Sequence, residues 1–158
     1  MDKYALARVI HVVAVVLWIG GVAMVTTVLI PAIRKMKSGA DQVEIFERFE
    51  SRFAWQAKIT TLLAGLSGFY MLNYIDAWNR YTEPKFWWIH AMTLVWAIFM
   101  FVLFVAEPLF LHRLFRKQAQ KDPVKTLAFV HRLHMILLVV SLVTIAGTVA
   151  GSHGWFVF

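Results

Sequence analysis

From Val9 to Ile33 the only ionisable side chain is His11. A stretch that long and that apolar leaves few folds open. About 20 apolar residues, rising 1.5 Å each as a helix, cross the hydrocarbon of a bilayer. Lipid offers the main chain no hydrogen-bond partner, so a crossing segment must satisfy its own amides, as a helix does. Three more apolar runs follow. Their extent predicts spans at about 4–33, 58–75, 86–111 and 127–155. Barrel strands would alternate apolar and polar residues, and these runs do not.

The chain has 158 residues, of which 60% are hydrophobic. A soluble domain is about 45–50% apolar, so the excess must face lipid. Four spans with short connections use most of the length, which gives one transmembrane domain over 1–158. The expected fold is all-α: an integral membrane four-helix bundle. The opening Met1-Asp2-Lys3-Tyr4 enters the first span without a small-residue cleavage signal, so that span is read as retained. There is no cysteine, which excludes disulfides, thiolate metal sites, iron–sulfur clusters and covalently attached haem.

The net charge of +7 sits in the connections. The first carries Arg34, Lys35, Lys37, Arg48 and Arg52, and the third Arg113, Arg116, Lys117, Lys121 and Lys125. The second has Arg80 and Lys85, offset by Asp76 and Glu83. The positive-inside rule puts connections one and three in the cytoplasm and both termini on the outer, periplasmic side of a bacterial inner membrane. Trp78, Trp87, Trp88 and Trp155 then fall at the outer interface, where amphipathic rings are stable. Basic residues bunched beside spans meet lipid headgroups, and no soluble basic module exists for nucleic acid.

Within the first connection, Asp41 followed by Glu44 has the form of a capping box. Ile45, Phe46, Phe49 and Phe53 then recur at helical spacing among charges, predicting a short amphipathic helix on the cytoplasmic face between spans one and two. Ala64-x3-Gly68 and Gly147-x3-Gly151 follow the small-xxx-small pattern of close helix approach. They serve packing within the bundle; the Gly147/Gly151 face equally suits a homo-oligomer.

Six histidines are many for such a chain, and ionisable groups in hydrocarbon are costly enough to point to function. His11 and His90 lie at similar shallow depths in two spans that run the same way. Two neutral imidazoles facing each other across a bundle are a haem ligand pair. Ala14, Trp18 and Gly21 share the face of His11, and Thr93 and Ala97 that of His90; small residues there would open a slot for a flat macrocycle. Arg8, one turn outward of His11, suits a propionate. The competing reading for His11 is an interhelical hydrogen bond with no cofactor. His131 and His134 share a face, and His112 ends the antiparallel span three. Together the three suit a second haem, a copper or zinc ion, or a proton relay, with His134 the preferred ligand as the deepest; an interfacial cluster is the plain alternative. His153 ends span four and reads as interfacial. Glu107, the one carboxylate well inside a span, precedes Pro108 and suits a charge pair with Arg132 or Arg113, or proton transfer. Met24, Met92 and Met100 are soft enough to ligate, yet scattered methionine in apolar helices is ordinarily packing.

The opening Ala7-Arg8-Val9-Ile10-His11 followed by Trp18-Ile19-Gly20-Gly21 resembles the first span of the HemJ and CopD-like membrane proteins. Glu50-Ser51-Arg52-Phe53 before span two, and Trp87-Trp88-Ile89-His90 opening span three, are similar to the HemJ pattern. The resemblance covers most of spans one to three. It implies a four-helix fold and haem b held by such histidines. It further implies oxygen-independent protoporphyrinogen oxidation for HemJ-like members and copper uptake or resistance for CopD-like ones. Where the HemJ pattern has lysine two residues after the span-three histidine, this chain has Met92, which points away from protoporphyrinogen oxidation. His131 and His134 are additions to that pattern.

The expectation is therefore a haem-binding membrane protein with a redox role, its partners lipid, a quinone and a redox protein, and, if an enzyme, an oxidoreductase. No phosphate-cradling glycine loop, nucleophile elbow or His-Glu-x-x-His motif is present.

Overall fold

The computed structural model describes residues 2–36 and 38–155. Lys37, one of the first connection's cations, lies outside the described residues. Four helices account for the fold: α1 Lys3–Ile33, α2 Gly39–Tyr74, α3 Pro84–Lys121 and α4 Pro123–Ser152. There is no strand among the described residues. α1, α3 and α4 are each long and apolar enough to cross a membrane. α2 is long enough, but Lys58, Thr60, Thr61, Ser67 and Asn73 dilute its apolar run.

Three helix starts are set by oxygen side chains that accept an otherwise orphaned main-chain N–H. Asp2 takes that of Tyr4 at 2.9 Å, Ser38 that of Asp41 at 3.3 Å, and Asp122 that of Lys125 at 3.0 Å. The capping residue of α2 is thus Ser38, three residues ahead of the Asp41–Glu44 box, and Asp41 stands in the first turn.

The amphipathic segment of the first connection is not a separate helix. It forms the first turns of α2, because no glycine or proline interrupts the chain between Gly39 and Gly65. Nor does its apolar face lie flat on a membrane. Phe46 is fully buried with Val25, Ile30, Ile33 and Leu127, joining α1, α2 and α4. Only Phe49 turns outward. At about 1.5 Å per residue, α2 is roughly 54 Å long, well over the thickness of a hydrocarbon core.

Two helices change register where proline removes a donor. In α1 the ladder slips to π spacing over Val25–Leu29, just ahead of Pro31, and Ile30 N–H reaches Val25 O. In α3 the same slip covers Val102–Leu111 around Pro108. π stretches of this kind keep a helix running past a missing donor at the cost of a bulge.

The main core takes Ala14, Trp18, Ile19 and Val22 from α1, Ala64 from α2, Val95 and Phe99 from α3, and Leu138 from α4. Glycines let aromatic rings reach neighbouring backbones. A Cβ on Gly21 would collide with the Phe53 ring, on Gly65 with the Trp96 indole, on Gly147 with Trp87 and on Gly151 with Trp88. The small-xxx-small pair of α4 is thus used inside the chain, as two seats for tryptophans of α3. Large apolar side chains cover the outside of every helix: Val16 is 64% exposed, Leu66 67%, Leu94 62% and Val143 59%. A water-soluble chain does not present such a coat, and a membrane protein does.

Candidate functional site

His11 points from α1 into α2 and makes the interhelical hydrogen bond that was the alternative reading for it. Its Nδ1 lies 2.8 Å from Ala64 O and 3.3 Å from Ser67 Oγ, and the ring rests over Gly68. Ser67 donates its own proton to Leu63 O, so it offers His11 an oxygen already engaged. Ala64 O therefore accepts the Nδ1 proton, and Nε2 is left without a hydrogen bond among the described residues. A groove of about 350 Å³ along α1 and α2, lined by Leu6, Ala7, Ile10, Leu63, Leu66 and Ser67, comes up to this point.

Trp18 of α1 meets Phe99 of α3 edge to face at 4.8 Å, which puts the two helices in rough register. His90 then stands level with Val9, about 3 Å along the axis from His11 at 1.5 Å per residue. The two rings are engaged with different segments. His90 is exposed, and its Nε2 donates to Tyr81 O at 3.0 Å. Its ring stands edge-on to Tyr81 at 5.3 Å. Thr93 Oγ1 is 2.7 Å from the Tyr81 hydroxyl. No hydrogen bond or ring contact joins His11 to His90 among the described residues.

The expected slot between α1 and α3 is filled. Ala14 and Trp18 are buried in the core, and Phe53 occupies the space beside Gly21. Arg8 is exposed, one turn outward of His11 as anticipated. Tyr81, which holds both His90 and Thr93, was not singled out by sequence; its place in a 3₁₀ turn of the second connection gives no periodic cue.

The second histidine set divides as well. His131 Nε2 lies 3.0 Å from Thr26 O, and its Nδ1 3.2 Å from an Arg34 guanidinium nitrogen. His134 Nδ1 donates to Val130 O of its own helix at 3.0 Å. His153 is exposed and bonded to Val149 O. Among the described residues no three His, Asp or Glu side chains stand together as a metal site, so His112, His131 and His134 do not form one. The rings of His131 and His134 are drawn to different carbonyls.

Glu107 pairs with neither Arg132 nor Arg113. Its partner is Lys58 of α2, at 2.8 Å. Beside it Arg116 Nε and Nη2 grip the two carboxylate oxygens of Glu47 at 2.9 and 3.3 Å. Glu47, Glu50 and Lys58 recur at helical spacing and so make one polar seam of α2 against α3. That spacing was the available cue.

Glu50 lies in this seam before the apolar part of α2. Burial first, then the carboxylates of Glu107 and Glu47, push it from 4.5 up to about 7. A carboxyl raised in the folded state holds its proton more tightly folded than unfolded. Its stabilising contribution is complete below 4.5 and lost as pH rises through about 7. Unfolding midpoints should fall over that window. Glu50→Gln is expected to flatten the fall and to stabilise the protein above it by about 1–2 kcal/mol, after allowance for partial exposure. Parallel slopes for the two proteins would exclude Glu50 as the titrating group.

Against a haem, these residues give a divided fit. His11 meets the requirement for an axial ligand, with one nitrogen held by a carbonyl and the other free. His134 repeats that arrangement. His90 has one nitrogen held as well, Nε2 on Tyr81 O, but it is exposed and makes no contact with His11, and the α1–α3 slot is closed. Among the described residues three buried side-chain polar atoms lack partners: Gln42 Oε1, at the far end of α2, and, nearer His11, Trp18 Nε1, two turns from it, and Thr61 Oγ1, one turn from Ala64. Buried groups of this kind normally find a partner, and a polar group of a bound molecule would serve. Comparison with models of protein families, with curated proteins and with solved structures gives no match for this chain.

Proposed function

We propose that the chain is a multi-pass protein of the bacterial inner membrane, a four-helix bundle with both termini outside. In this reading it binds haem b through His11 and passes electrons between a membrane donor of the quinol type and an acceptor at the outer face. The observation that carries this reading is the Nδ1–Ala64 O bond, which fixes the tautomer of a histidine set among apolar helices and leaves Nε2 able to ligate. The lipid-facing coat, the charge asymmetry of the connections and the HemJ/CopD-like motifs support it further. His134 is the ligand for a second haem.

Bound haem supplies one-electron redox chemistry. The protein's own contribution is positional. Ala64 holds the imidazole plane, and Gly68 leaves space for it. Trp18 and Phe99 close the core beneath it to water. Trp18 Nε1 and Thr61 Oγ1 offer hydrogen bonds to a polar substituent. Arg8 suits a carboxylate at the outer edge.

Protein purified after growth with ample haem should show b-type bands in reduced-minus-oxidised spectra, with stoichiometry from the pyridine haemochrome. His11→Ala should lose the bands of the outer site; His153→Ala should keep them. A spectrum without b-type bands would end the proposal, and stoichiometric copper in its place would favour the CopD-like function.

A further inference from the structure

Thr26 is fully buried, and the π register draws away the main-chain donor its carbonyl would otherwise take. In the π register of Val25–Leu29, Ile30 N–H is committed to Val25 O. The next donor in that register, for Thr26 O, would be residue 31, which is proline and has none. A carbonyl left so in the interior has given up water without gaining a partner, which is unfavourable. In this fold a side chain from another helix reaches it: His131 Nε2 of α4, at 3.0 Å. Nε2 must be the donor, since a carbonyl only accepts. Nδ1 is then the acceptor, and Arg34, just beyond the end of α1, donates to it at 3.2 Å. The two contacts agree on one tautomer and occupy both ring nitrogens.

We infer that His131 is a latch: it closes α4 onto α1 by satisfying the carbonyl that Pro31 orphans, with Arg34 holding the ring in the required tautomer. The latch sits in the second core cluster, where Val25, Ile30 and Ile33 of α1 meet Leu127 of α4 and Phe46 of α2. It explains two features together. α1 carries a proline near its end without losing its packing, and a polar residue of α4 sits at an apolar interface with no metal. The inference is independent of haem at His11, because it uses neither that residue nor its neighbours.

A double-mutant cycle tests it on the full chain in detergent micelles, read by the thermal midpoint in circular dichroism. His131→Ala should lower the midpoint by roughly 5 °C, the effect of one orphaned carbonyl in a chain of this size. Pro31→Ala restores a main-chain N–H within reach of the π-segment carbonyls. In that background His131→Ala should cost less than about 2 °C. His131→Gln, which keeps a donor, should lie nearer the parent than His131→Ala. If His131→Ala does not fold alone, folding of the double variant supports the latch and its failure overturns it. Equal losses with and without Pro31 would likewise overturn it. They would show that His131 serves something other than this carbonyl.

Discussion

Gly65→Leu is expected to destabilise the protein by about 3–5 kcal/mol, enough to lower the thermal midpoint by roughly 10 °C or to prevent folding. The Trp96 indole occupies the place of the missing Cβ, so any side chain at 65 must displace it. Displacement has two costs. Overpacking at a tight interface is one, typically about 1–3 kcal/mol. The other is the indole N–H, which now donates to Thr61 O at 3.0 Å and would be left unpaired in an apolar setting. α3 cannot move aside to relieve the clash, because Trp87 and Trp88 are seated on Gly147 and Gly151 of α4. Gly20→Leu is the control. A Cβ there meets nothing within 4 Å. Leucine also has the better helix propensity, by about 1 kcal/mol, so that variant should be neutral or slightly more stable. Similar losses at both positions would mean that glycine matters here for helix flexibility and not as a seat for an indole.

The same glycines show what could and could not be read from the sequence. Apolar length alone located α1, α3 and α4, because a bilayer's thickness imposes it. The unity of α2 was missed because apolarity was the cue, whereas the absence of a helix breaker between Gly39 and Gly65 is what carries the helix through its charged turns. Small residues marked close approach correctly. What approaches is a ring on another helix, and its identity depends on register. Phe53 fills the space beside Gly21 that was expected to admit a macrocycle. A similar depth for His11 and His90 was expected from helix rise. Ring direction was not, since Tyr81 and Ala64, the groups that hold them, lie in other segments. Pro31 was visible, but the orphaned carbonyl follows only from the slip to π spacing, and its histidine partner only from the packing of α4. Glu107 was rightly expected to be paired. Its partner Lys58 was hidden at the start of a span, while Arg113 of the same helix and Arg132 of span four drew attention.

That pair carries the last expectation. Lys58→Met should cost about 2–3 kcal/mol, because it removes the cation 2.8 Å from Glu107 and leaves a carboxylate at a helix interface. The figure lies below the range for a fully buried pair because both side chains keep some exposure, 25% and 33%. The loss should also depend on pH. With Lys58 gone, the ammonium that pairs with Glu107 no longer offsets the repulsion between Glu50 and Glu107, and Arg116 is committed to Glu47. Glu50 then gains still more by holding its proton, so the variant should be hurt most above pH 7 and least at acid pH. Replacing both partners, Lys58→Met with Glu107→Gln, should restore most of the stability and remove the added pH dependence, since no unpaired charge remains. Unfolding midpoints of the single and double variants across the titration range decide it. A single-variant loss that is constant with pH and undiminished in the double variant would mean that Lys58 acts through its aliphatic stem, packed against α3, and that the ion pair is incidental to holding α2 and α3 together.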